Sequence, residues 1–215
     1  MSYVVNDGRE PWLPIGLMLG AAVATLVSGI HPFDRMTWWL EVAPVIIGLV
    51  VLAATWRRCR LTSLLYGLLF LHALLLIVGG HYTYARVPVG FVVQELLDLA
   101  RNPYDRFGHL AQGFVPAILV REIFLRFSPL SRGGWLFVVV TSVCLAFSAS
   151  FELFEWLVAV VAGDGSTDYL ALQGDPWDTQ WDMLCALIGA VTAQLVLGAW
   201  HDRQIARLQS AIPAQ

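Results

Sequence analysis

The chain has 215 residues, of which 58% are hydrophobic and 13% charged, with a mean hydropathy of +0.67 and a formal net charge of −3. A soluble domain carries about 25% charged residues; a chain this apolar lacks the polar surface to cover a core in water, and lipid as the solvent removes that demand. The acidic balance excludes nucleic acid as a partner, and Cys59, Cys144 and Cys185, with no CxxC or metal-ligand spacing, read as small membrane residues rather than a disulfide framework.

The opening MSYVVNDGRE has no strongly basic segment, and the apolar stretch Trp12–Ile30 is longer than the roughly 7–15 residues of a signal h-region. It reads as a retained helix. A span needs roughly 20 apolar residues, and the chain offers about six: Trp12–Ile30, Trp38–Trp56, Leu61–Val78, Phe107–Leu125, Trp135–Ala162 and Trp177–Trp200. Tryptophan or tyrosine lies near most of their ends, as interfacial anchors do. Pro44 and Pro116 fall inside spans, where neighbouring helices tolerate a kink. Between the third and fourth spans, Val89, Val92, Val93, Leu96 and Leu97 recur at a helical period opposite Gln94, Glu95 and Asp98. That pattern predicts a short amphipathic helix over Gly90–Ala100, lying in the interface. The segment Gly163–Pro176 is polar and Gly-rich, without a basic residue. No repeat or soluble domain is visible, so residues 1–215 form one all-α membrane bundle.

Arginine sets the orientation. With both termini inside, the inner segments carry Arg9, Arg57, Arg58, Arg60, Arg121, Arg126, Arg132, Arg203 and Arg207, and the outer ones only Arg35, Arg86, Arg101 and Arg106. Positive charge marks the cytoplasmic side, so both termini are expected in the cytoplasm and the chain in a bacterial inner membrane. Carboxylates are biased to the outer side, and they direct topology little, so the bias calls for another cause.

Three spans each carry a polar stripe at i, i+4, i+7: Asp105, His109 and Gln112; Ser148, Glu152 and Glu155; Asp178, Asp182 and Cys185. Such residues share one helix face, and a polar stripe turns inward because facing lipid is costly. With the fifth span ending near Gly163, Glu155 lies about 12 Å and Glu152 about 16 Å below that end at 1.5 Å per residue. The expectation is an acidic funnel opening outward, with those two glutamates at its floor. His72, His81, Tyr84, Arg101, Asn102, Arg106 and Gln173 line the approach.

A divalent cation could hold so many carboxylates together. The ligand candidates are His109, Glu152, Glu155, Asp178 and Asp182. Catalytic candidates are Glu152, Glu155, His109 and Asp105; substrate-binding candidates are Arg101, Arg106, His81, Tyr84 and Gln173. No HExxH or HxxxH pair is present, and the competing reading is a buried network that only locks helix packing. A metal-dependent hydrolase or transferase acting on a lipid or lipid-linked substrate is the first functional reading, a cation or proton transporter the second and a non-catalytic membrane protein the third. His31 and His201 read as loop residues, His72 equally as a helix–helix hydrogen bond or a ligand. Glu41 is expected to reach the outer headgroups or water, and Glu122 with Arg121 the inner headgroups.

The blocks GGHYTYARVP, RNPYDRFGHLAQGF, SASFELFEW and LQGDPWDTQWDM resemble the YjdF-type bacterial inner-membrane proteins. The order Asp105, Arg106, His109, then Glu155, then Asp178, Asp182 and Gly189 also resembles the broader VanZ-like membrane proteins, which are linked to glycopeptide resistance. Asp182 departs from that pattern, where Asn is usual, and so does Cys185, where Gly is usual. The resemblance implies a helical bundle in the envelope and supplies no reaction.

Overall fold

Side-chain caps fix where two of the helices begin. In the computed structural model, which describes residues 12–162, Leu170 and 172–210, α1 runs Trp12–Ser28, α2 Arg35–Thr55 and α3 Ser63–Tyr82. A 3₁₀ turn, Tyr84–Arg86, leads into α4, Pro88–Leu96; α5 is Tyr104–Phe127, α6 Gly134–Ala162 and α7 Asp178–Ser210. Asp34 caps α2 by accepting from the Thr37 amide at 2.6 Å, and Thr62 caps α3 by accepting from Leu65 at 3.3 Å. Such side chains satisfy amides that have no partner inside the helix. Pro88 opens α4 at the position where its missing N–H costs nothing.

No strand occurs among the described residues. Four helices, α2, α3, α6 and α7, are long and apolar enough to cross a membrane. The 17-residue α1 is apolar but shorter, about 26 Å at 1.5 Å per residue. The 24-residue α5 has the length but carries Asp105, Arg106, Arg121, Glu122 and Arg126. The predicted boundaries agree with these helices to within a few residues, except at α7. That helix continues ten residues past Trp200, and its 33 residues reach about 50 Å, beyond a hydrocarbon core of roughly 30 Å. The predicted amphipathic helix forms as α4, two residues early, and turns Val89, Phe91, Val92 and Leu96 outward. Residues 1–11, and most of the polar segment 163–176, lie outside the described residues.

The tightest packing joins α5 and α7. A Cβ on Gly113 would overlap the Ala186 carbonyl oxygen, and one on Gly189 the Leu110 carbonyl oxygen. Two backbones can touch there only because neither residue has a side chain. Around that crossing Ala117, Ile118, Val140, Cys144, Ala190 and Ala193 are at most 1% exposed and make the central apolar layer. α6 covers the α5–α7 pair on one side; α3 packs against it on the other, with α1 and α2 packed in turn on α3.

Candidate functional site

The glycine crossing lies one turn below His109 on α5 and nearly two below Asp182 on α7, so it draws their polar stripes together. Asp105, His109 and Asp182 are all buried, and one ligand atom from each lies within 4.8 Å of the other two. His109 Nε2 is 3.6 Å from Asp105 Oδ1. On its other edge, His109 Nδ1 is 3.0 Å from Gln112 Oε1, an oxygen that can only accept. With that oxygen accepting, Nδ1 is the donor of the pair, and Nε2 is the nitrogen turned toward Asp105. Glu152 Oε1 sits 3.6 Å from the same Nδ1. The ring is flanked edge-on by Phe151 at 6.2 Å.

Two carboxylate oxygens here, Asp182 Oδ1 and Glu152 Oε1, are buried without a hydrogen-bond partner, as is Ser148 Oγ one turn deeper. Unpaired buried acceptors are costly. Glu152 bonds the Thr179 hydroxyl as well, and the half-buried Glu155 feels the charges of Glu152, Asp105, Glu41 and Asp182.

Arginines close the rim. Arg101 binds Asp178, reaches Asp105 Oδ2 at 3.3 Å and stands 3.8 Å from Asp175. Arg106 pairs with Asp175 at 2.5 Å and lies 5.2 Å from the Trp181 ring centre, its Nε buried and unbonded. Of the ligand candidates, then, His109 and Asp182 meet in one cluster with Asp105. Glu152 touches the histidine from the far side, and Asp178 is engaged by Arg101.

The other approach residues are held by neighbouring groups. His81 Nδ1 bonds the Ser28 carbonyl at 2.8 Å and ties α3 to the end of α1. Gln173 clamps the Asn102 backbone, accepting from its N–H and donating to its C=O, each at 3.0 Å. Tyr84 is buried in a slot formed by Gly79 and Gly108, where a Cβ on Gly79 would overlap its ring. Thr83 and Tyr84, at φ 58° and 26°, take the left-handed backbone that aims the ring inward. The Tyr84 hydroxyl bonds Glu41 and is pushed well above the ordinary phenol range, first by burial and then by the Glu41 and Asp105 carboxylates.

Glu41 corrects its expectation. It is 4% exposed, with its Cβ 3.0 Å from where a Gly80 side chain would begin, and reaches neither headgroups nor water. The available signal was its share in the Trp38, Val42, Val45 face opposite the Gly79–Gly80 pair. Glu122 and His201 correct theirs as well. Both are 0% exposed, and His201 lies within α7 rather than a loop. His31 does lie in the turn after α1.

Asn102, whose role the sequence left unspecified, is fully buried. Its amide donates to the Val87 carbonyl at 3.1 Å and its Oδ1 accepts from Tyr104 N at 3.0 Å, starting α5 beneath Gly90. Asn102→Ala strands the Tyr104 amide and leaves the Val87 carbonyl with only the Gly90 amide, and is expected to cost about 2–4 kcal/mol. Thermal unfolding in detergent should show the loss as a Tm roughly 5–15 °C lower, and an unchanged Tm would contradict this role.

The profile of the family described as "Predicted membrane protein (DUF2238)" matches residues 13–203. The chain is 51% identical over 197 residues to inner membrane protein YjdF of Escherichia coli (strain K12), covering 90% of this chain and 94% of that protein. No solved structure matches. The chain belongs to the DUF2238 family and is an integral membrane protein; its apolar helices agree with the inner-membrane location that the E. coli relative's name states.

Proposed function

We propose that this chain is a divalent-cation-dependent hydrolase or transferase of the bacterial inner membrane, acting on a lipid or lipid-linked substrate at the outer face. The observation that carries this reading is the buried Asp105–His109–Asp182 cluster, whose ligand atoms lie within 4.8 Å of one another, with an unpartnered carboxylate oxygen on Asp182. One imidazole nitrogen and carboxylate oxygens suit a zinc, manganese or iron ion. Such an ion would polarise a phosphoryl or carbonyl oxygen and activate water. Glu152 bears on His109 from behind, as carboxylates do on metal-bound histidines, and Glu155 is the remaining candidate for proton transfer. Arg106, held by one aspartate and with a free Nε, suits a phosphate better than Arg101, which three carboxylates occupy. With six spans and cytoplasmic termini, the arrangement the arginine distribution predicts, this end of the bundle would face outside. The VanZ-like motif order adds looser support, since Asp105, His109 and Asp182 of that order converge.

A transporter fits less well. Ile118, Val140, Cys144 and Ala190, each at most 1% exposed, separate the site from the polar groups at the opposite end. The test is metal content of the purified chain after chelation and reloading with zinc, manganese or iron(II). About one ion per chain is expected, reduced at least about tenfold, or 1.4 kcal/mol, in Asp182→Asn and His109→Ala with the fold intact. A folded wild-type chain that takes up none of these ions would overturn the reading.

A further inference from the structure

The segment leading into α7, residues 172–177, is tied to the rim of the acidic cluster at two points. Gln173 grips the Asn102 backbone, and Asp175 reaches Arg106. Between these ties the backbone turns sharply. Gln173 and Gly174 take the left-handed region in succession, at φ 49° and 82°, and the Asp175 amide donates to the Leu172 carbonyl at 2.9 Å. Such a backbone suits glycine and is uncommon for glutamine, so the ties help to hold this strap in its shape.

The strap delivers a carboxylate to a pair of arginines. A single oxygen, Asp175 Oδ2, lies 2.5 Å from a terminal nitrogen of Arg106 and 3.8 Å from one of Arg101. Two guanidinium groups converging on one oxygen suit a phosphate better than a carboxylate, because a phosphate brings three strong acceptor oxygens and up to two negative charges to their planar forks. The place is reachable from outside, with 29% of the Arg106 side chain and 21% of the Asp175 side chain exposed. Asp178 also binds Arg101, but it sits in the first turn of α7 with a side chain 4% exposed, so Asp175 is the carboxylate placed to be exchanged. The arginine pair also adjoins the cluster. Arg101 bonds Asp105 Oδ2 at 3.3 Å while it faces Asp175, so an anion in place of Asp175 stands one guanidinium away from a cluster member. The Trp181 ring, centred 5.2 Å from the Arg106 guanidinium, backs that side chain.

We propose that Asp175 is a built-in stand-in for a phosphate group of the substrate, which displaces it from Arg106 and Arg101; until then the strap blocks the arginine pair. This rests on the reading of the cluster as a cation-dependent enzyme site and narrows that reading, from phosphoryl or carbonyl chemistry to a substrate that bears a phosphate. Charge balance favours the exchange only at a loaded site. The carboxylates of the empty cluster repel a phosphate, whereas a bound cation adds its charge to the two arginines that receive it.

Asp175→Asn tests this with a sign that a merely structural role does not produce. The asparagine keeps an oxygen to accept from the Trp177 amide, as Asp175 Oδ1 does at 2.9 Å, but gives up the charge that competes for the arginines. The full chain in mild detergent is titrated with inorganic phosphate and with dioctanoyl phosphatidic acid, with the cation loaded and after chelation. Asp175→Asn, Arg106→Gln and the double variant are titrated alongside. Asp175→Asn should bind phosphate at least about tenfold tighter than wild type, Arg106→Gln about tenfold more weakly, and the double variant should lose the gain. Binding of the lipid phosphate alone assigns the site to a lipid-linked substrate; equal binding of both probes assigns it to the phosphate group by itself. The proposal is overturned if Asp175→Asn binds no tighter than wild type, if folded Arg106→Gln binds as well as wild type, or if neither probe binds any of the four proteins. Ion content should be the same in wild type and Asp175→Asn. A chain that takes up no ion yet shows the Asp175→Asn gain keeps the phosphate site and loses the enzyme reading; one that takes up its ion without the gain does the reverse.

Discussion

Gly113→Ala and Gly189→Ala are each expected to destabilise the chain by about 3 kcal/mol or more, the largest effect of any single methyl group added to it. The reason is the partner atom. Each new Cβ would overlap a backbone carbonyl oxygen of the facing helix, Ala186 for Gly113 and Leu110 for Gly189. A flexible side chain could move aside, but a helical carbonyl cannot, so α5 and α7 must separate. In a detergent melt this corresponds to a fall of roughly 6–12 °C. Gly67→Ala is the matched control, because a Cβ there meets nothing within 4 Å; it should leave the Tm unchanged or raise it slightly. Equal melting of all three variants would show that glycine content, and not close approach, sets the stability. The same separation would pull Asp105 and His109 from Asp182, so any folded fraction of Gly113→Ala should also lose cation binding.

Helix number and position were readable because lipid makes the apolar pattern strict. A span requires about 20 residues, and α1 to α6 follow with small shifts, while α7 runs ten residues past its predicted end. The polar stripes were readable for the same reason, since a charge on a lipid-facing surface is costly. What composition could not convey is which polar groups pair. Gln173 and His81 have the chemistry of binding residues, yet both are consumed by backbone, at Asn102 and Ser28. Asp178 resembles Asp182 in type and spacing, and only the fold reveals that Arg101 takes the first and leaves an oxygen of the second unbonded. Glu41, Glu122 and His201 were misplaced because distance from a span's end was taken as exposure. Partners on distant helices can bury a charge near an end as completely as depth can.

Those partners reveal a molecule with two polar ends of opposite character. At one end carboxylates outnumber arginines and some acceptors stay unsatisfied. At the other, among the described residues, the buried Glu122 is bonded to Thr62, Arg126 and His201 and the buried Arg121 is paired with Asp202, and an apolar layer of Ile118, Val140 and Ala190 lies between the two ends. An unsatisfied cluster is poised to take a ligand, whereas a satisfied one holds helices together. The two ends should therefore respond differently to substitution.

Glu122→Ala is the test of the satisfied end, with an expected cost of about 3–5 kcal/mol. The Glu122 carboxylate accepts from the Thr62 amide at 3.0 Å and its hydroxyl at 2.7 Å, from Arg126 at 2.6 Å and from His201 Nε2 at 3.0 Å. The direction of the last bond follows from Arg121, which can only donate. It stands 3.2 Å from His201 Nδ1, so the imidazole proton sits on Nε2 and points at Glu122. One side chain on α5 thus joins the start of α3 to the extended end of α7. Removing it deprives Arg126, 8% exposed, of its carboxylate and strands three buried donors, the Thr62 amide, the Thr62 hydroxyl and His201 Nε2. Glu122→Gln keeps the volume but turns an N–H₂ toward groups that are all donors, so it should recover only part of the loss. Thermal melts of both variants, with metal content measured on the molecules that remain folded, separate the two roles. Lower Tm with unchanged ion content is expected, because the apolar layer isolates the ends. Ion loss in folded Glu122→Gln would mean instead that the two clusters communicate through the bundle, which would favour a conducting path over a one-sided enzyme site.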